Sequence, residues 1–84
     1  MQESLALYTR HRCGYCDLVR DVISEIGISV EERNIWEKGQ WRDELLAAQG
    51  RDTVPVLRRD LTNGEIYWLP EPDAIVRYLL QNYG

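Results

Sequence analysis

The chain has 84 residues and two cysteines, Cys13 and Cys16, which stand two residues apart within His11-Arg12-Cys13-Gly14-Tyr15-Cys16-Asp17. A C-x-x-C pair can serve as a redox couple, as half of a metal site, or as a staple. The staple is the poorest match, because stapled secreted domains carry more cysteines at wider spacings. A bridge over so short a loop also restricts the unfolded chain little. A zinc site would have only His11 beside the two thiols, whereas structural zinc takes four ligands and the sequence has no second cysteine pair. Nothing marks His11, the sole histidine, as a general base, and it reads as an exposed loop residue. Thiol–disulfide chemistry is what the pair suits best. Cys13 would attack, and Cys16 would resolve the resulting mixed disulfide.

That chemistry requires an activated thiol, which the elements around it must supply. Leu5-Ala6-Leu7-Tyr8 reads as a buried strand. From Tyr15 onward the apolar period becomes helical: Leu18, Val19, Val22, Ile23 and Ile26 recur on one face, and Gly27 follows as a stop. Cys13 therefore falls where a strand ends and a helix begins. Unpaired backbone N–H groups and the helix dipole, with Arg10 and Arg12 close by, stabilise a thiolate there. Cys16 lies about one turn further in.

The β-branched stretch Ile28–Ile35 predicts a second strand. A second helix is expected from about Glu37 to Ala48, with Trp41, Leu45 and Leu46 facing inward. Val54-Pro55-Val56-Leu57 and Glu65-Ile66-Tyr67-Trp68 predict a hairpin closed at Thr62-Asn63-Gly64, where Asn-Gly favours positive φ. A last helix is expected over Asp73–Asn82, burying Ile75, Val76, Leu79 and Leu80. The order β-α-β-α-β-β-α makes the first two strands parallel and gives a four-stranded mixed sheet with three helices, an α/β sandwich in a single domain spanning 1–84. Trp36, Trp41 and Trp68 read as packing residues, and Glu31-Glu32 and Arg58-Arg59-Asp60 as solvated surface.

Ten Lys and Arg against fourteen Asp and Glu leave a net charge of −4, which argues against a nucleic-acid partner. No apolar run is long enough to span a bilayer. The start Met1-Gln2-Glu3-Ser4 lacks the features of a leader, so a cytoplasmic, monomeric protein is expected.

With these residues in place the chain resembles the glutaredoxins. The resemblance rests on Cys-Gly-Tyr-Cys after the first strand, on Thr53-Val54-Pro55 at the matching distance, and on an acidic residue opening the last helix. It covers the whole chain and implies a thioredoxin-like fold. It also implies a glutathione-dependent oxidoreductase that reduces protein disulfides and glutathionylated proteins. Cys13 and Cys16 would be catalytic. Glutathione would be the co-substrate, contacted by Arg10 at its glycine carboxylate and by Tyr15 alongside. Thr53, Val54 and Pro55 would form a cis-proline loop whose Val54 backbone pairs with the thiol peptide.

The segment Leu69-Pro70-Glu71-Pro72-Asp73 is similar to the glutathione-binding segment of glutathione transferases, where Glu and Ser meet the γ-glutamyl end. Here Glu71 or Asp73 would meet its ammonium, or Asp73 is a plain N-cap. Pro72 replaces the serine and offers neither a hydroxyl nor an N–H. That departure keeps open a redoxin recycled by thioredoxin reductase. Gly14 replaces the usual proline, which keeps open a glutathione-bridged [2Fe–2S] module. No other metal is expected.

Overall fold

A computed structural model describes residues 3–84. Met1 and Gln2, which open the segment read as lacking a leader, lie outside the described residues. The elements are β1 (Glu3–Thr9), α1 (Gly14–Ile26), β2 (Glu31–Asn34), α2 (Gly39–Gln49), β3 (Val56–Leu61), β4 (Ile66–Leu69) and α3 (Pro72–Tyr83). The sheet runs β2-β1-β3-β4. β1 and β2 are parallel, and the β1–β3 and β3–β4 pairs are antiparallel.

Alternation along β1 builds two layers of core. Leu5 and Leu7 point to one face, where they pack with Leu57 against Val19 of α1 and Ile75 and Leu79 of α3. Ala6 and Tyr8 point to the other, with Val56, Ile35 and Leu45 of α2, and Cys13 and Cys16 belong to this second cluster. A strand buried on both faces reads as a continuous apolar run, and Leu5–Tyr8 is one. Each fully buried Leu or Ile contributes about 1.5–3 kcal/mol of transfer free energy.

Several expectations change. Ile28 and Val30 are not in a strand: they turn into the α1–α3 layer, and β2 begins where Glu31 pairs with Ala6. Val54 and Pro55 precede β3 as a loop. Leu18 and Leu80 are exposed, because the apolar stripe of each helix is wider than the face its neighbours cover. Trp41 and Trp68 do pack against the core, whereas Trp36 is 58% exposed. In the hairpin turn only Gly64 adopts positive φ, at 91°, while its N–H bonds Leu61 and Leu61 bonds back to Glu65.

Arg58 and Arg59 are only partly solvated, their side chains 19% and 23% exposed. Arg58 stacks on Trp68 at 5.4 Å and pairs with Asp60 at 2.6 Å. Arg59 lies over Tyr78 at 4.4 Å and reaches Glu3 at 2.8 Å. Glu32 is likewise engaged, by Arg20 and Thr9.

Candidate functional site

The carboxyl end of β1 leads through Arg10-His11-Arg12 into α1. Arg12 adopts φ 53°, in the left-handed region that a non-glycine residue occupies only with surrounding support. Cys13 then takes the N-cap position, with extended backbone, and its sulfur accepts the Cys16 N–H at 3.4 Å. A backbone donor aimed at the sulfur is what a negatively charged thiolate requires. The Cys13 thiol faces the Val54 carbonyl at 4.0 Å, which places the loop before β3 directly against it. The Val54–Pro55 bond is cis.

Both cysteines are free thiols and both are buried, Cys16 completely. Burial, and then the hydrogen bond with Cys13, push the Cys16 thiol up to about 12; an Arg10 backbone bond and the Arg20 charge act in the opposite sense. Neighbouring thiols in one motif thus have different surroundings.

Two open grooves meet at Thr53 and Val54. One, of about 500 Å³, is lined by Tyr15, Arg51, Thr53, Val54, Glu71 and Asp73 among others. The other, of about 290 Å³, is lined by Arg10, Ile35, Trp36, Asp52, Thr53 and Val54. Of the residues singled out in the sequence, Arg10, Tyr15, Thr53, Val54, Glu71 and Asp73 line these grooves; Cys13 adjoins them through Val54, and the buried Pro55 and Cys16 line neither. Arg10 lies over the Trp36 ring at 5.7 Å, and His11 stands edge-on to the same ring at 5.6 Å. Asn34 fixes this corner: its side-chain oxygen accepts the Trp36 N–H at 2.9 Å, and its amide nitrogen lies 3.2 Å from His11 Nδ1.

At the other end α3 starts with Glu71 at the N-cap, making no side-chain capping bond, and with Pro72 at the first helical position. A proline is well placed there, since that N–H has no helical partner in any case. Asp73 is consequently not the N-cap but a residue of the first turn, facing the groove beside Glu71.

Trp36, Arg51 and Asp52 were not marked as site residues in the sequence. Trp36 had a signal, because it follows the carboxyl end of the strand parallel to β1, the edge where open α/β sheets bind ligands. Asp52 is tied to Arg42 at 3.2 Å.

Residues 7–84 match the family described as Glutathione S-transferase, N-terminal domain. Glutaredoxin 3 of Escherichia coli (strain K12) is 33% identical over 52 residues, which are 62% of this chain and 63% of that protein. The match therefore spans less than two thirds of the relative. Among solved structures, maleylacetoacetate isomerase from Anaeromyxobacter dehalogenans 2CP-1 with bound GSH superposes with a TM-score of 0.75 at 24% identity, covering 98% of this chain and 38% of that one. The thioredoxin-like protein BC3987 gives a TM-score of 0.70 at 19% identity, covering 93% of this chain and 97% of that one. The fold is thioredoxin-like.

Proposed function

We propose, from the premise that this chain belongs to the Glutathione S-transferase N-terminal domain family, that it is a glutathione-dependent thiol–disulfide oxidoreductase acting through Cys13 and Cys16. The family supports a glutathione-related redox or transferase role. The observation that carries the redox form is the cysteine pair itself: Cys13 at the helix N-cap receives a backbone N–H, and a second thiol is enclosed one turn behind it. A transferase site would have no use for that second thiol.

In the proposed reaction the Cys13 thiolate attacks the glutathione sulfur of a glutathionylated protein. The disulfide bond between the protein sulfur and the glutathione sulfur breaks, the protein thiolate leaves and takes a proton, and Cys13 holds the glutathione. A second glutathione thiolate then attacks that glutathione sulfur, releasing oxidised glutathione and regenerating Cys13. With a protein disulfide as substrate, Cys16 displaces the substrate from Cys13 and closes an internal disulfide. Arg10 would meet the glycine carboxylate as a charge-assisted donor, with Trp36 beside it. Glu71 or Asp73 would meet the γ-glutamyl ammonium, Tyr15 would flank the ligand, and the Val54 backbone at Thr53-Val54-Pro55 would pair with it. The chain would work as one domain.

A coupled NADPH assay tests this reading. Recycling by glutathione and its reductase should support turnover, Cys13→Ser should abolish it, and Cys16→Ser should keep deglutathionylation while losing disulfide reduction. Turnover with thioredoxin reductase alone, or loss of both activities in Cys16→Ser, would overturn the assignment.

A further inference from the structure

A chain of polar side chains starts at Arg20, one turn along α1 from Cys16, and the steps above leave it unused. Arg20 follows Cys16 by four positions on α1, so the two project from the same helical face. Its Nε lies 3.0 and 2.9 Å from the two carboxylate oxygens of Glu32 on β2, and its Nη2 lies 2.7 Å from one of them. Nη1 reaches Asp17 at 2.5 Å. Glu32 also accepts from Thr9 Oγ1 at 3.0 Å, and Thr9 is wholly buried at the end of β1.

An ion pair placed only for stability on a surface contributes little. This one holds a cation in a fixed place, its side chain 31% exposed, one helical turn along α1 from a thiol that is fully enclosed. The groups that act on Cys16 are Cys13 and Arg20 of α1 and the Arg10 backbone; Asp17 and Glu32 are paired to the Arg20 guanidinium, and Tyr8 of β1 shares the buried cluster of Cys16. Within that set Arg20 carries the positive charge that favours ionisation of Cys16.

We propose that Arg20 is the positioning residue of the resolving step, held by Glu32 and Asp17 so that its charge faces Cys16 as that thiol ionises and attacks. The inference rests on the dithiol reading above. In the step concerned, Cys16 gives up its proton and its sulfur bonds to Cys13 Sγ. The bond between Cys13 Sγ and the substrate sulfur breaks, and the substrate thiolate leaves and takes up a proton. The internal disulfide replaces the mixed one, so electrons and protons balance without a further oxidant.

The test reads Cys16 directly. In full-length Cys13→Ser protein it is the only thiol, and its rate of modification by methyl methanethiosulfonate is followed across pH. Arg20→Gln and Arg20→Met should each move the profile to higher pH and slow the reaction about tenfold at fixed pH, the factor for a shift of about one pKa unit. Arg20→Lys should restore most of the rate. Two neutral replacements are used so that one that fails to fold leaves the other to report. With Cys13 intact, the ratio of disulfide reduction to deglutathionylation should fall by a similar factor and recover in Arg20→Lys. An unmoved profile, or equal loss of both activities, would overturn the role of Arg20. Absence of both activities in the unsubstituted protein would instead sink the oxidoreductase reading, while the modification profile would still report on Arg20.

Discussion

Arg10 illustrates how its surroundings fit a single side chain for the task proposed for it. It leaves β1 at the rim of the smaller groove, and the Trp36 ring beneath it limits the directions its guanidinium can take. Arginine presents a planar fork suited to a carboxylate, and lysine does not. Arg10→Ala should therefore raise the KM for glutathione about tenfold or more, the loss expected for one charge-assisted hydrogen bond, with a smaller change in kcat. Arg10→Lys should recover only part of it; steady-state kinetics with glutathione varied would check both. Cys13 and Cys16 stood out in the sequence through their spacing at a strand-to-helix junction, whereas Arg10 and Thr53-Val54-Pro55 stood out only through the resemblance to the glutaredoxins. Trp36 did not, since a tryptophan after a strand reads equally well as packing, and its place in the exposed corner depends on the Asn34 side chain that accepts its backbone N–H.

At the scale of elements, α1 is the piece whose start matters most. Gly14 occupies its first helical position with ordinary negative φ, and a Cβ added there would meet no atom within 4 Å. The preceding residue, Cys13, has φ −112° and ψ 109°, the extended backbone that a following proline requires. Gly14→Pro should consequently stabilise the protein by about 0.4–1 kcal/mol by restricting the unfolded chain, read as a higher midpoint in urea. The elements were readable where a period runs long. α1 and α3 start and stop within a residue or two of expectation, because capping signals bound them. β2 was overestimated because Ile28 and Val30 are β-branched and partly buried, yet their burial comes from the helical layer and not from pairing. Asp73 was legible as a helix-start residue, but Pro72 takes the first helical position and moves it one place inside.

At the scale of the molecule, one buried carboxylate joins the two ends of the fold. The Glu3 side chain is 1% exposed; it accepts from Arg59 of β3 at 2.8 Å and from the Tyr78 and Tyr83 hydroxyls of α3. Burial alone would raise its pKa, but the three donors and the arginine charge together hold it below the ordinary 4.5. A carboxylate depressed on folding contributes stability above its unfolded value, and that contribution is lost as pH falls through the folded one. The melting temperature should accordingly decline as pH drops below about 4.5, and Glu3→Gln should be less stable at neutral pH with a flatter acid limb. Differential scanning calorimetry across pH would read both. The same cage holds Tyr78 up to about 12, chiefly through burial and then through Glu3. Its neutral form is favoured on folding, so the cage also weakens in strong alkali. None of this was visible in the sequence, because Glu3, Arg59, Tyr78 and Tyr83 are brought together only by the long-range pairing of β1 with β3 and the docking of α3.

The complete enclosure of Cys16 bears on how the protein survives peroxide. An oxidant diffusing from solvent meets Cys13 first, and the sulfenic acid formed there lies within one helical turn of a thiol that the oxidant has not reached. Condensation of the two would close a reducible disulfide before further oxygen could carry Cys13 to the irreversible sulfinic state. On the proposed redox reading, enclosing one sulfur would thus protect the other, and damage that would end the life of a single-cysteine site would become an ordinary turn of the cycle.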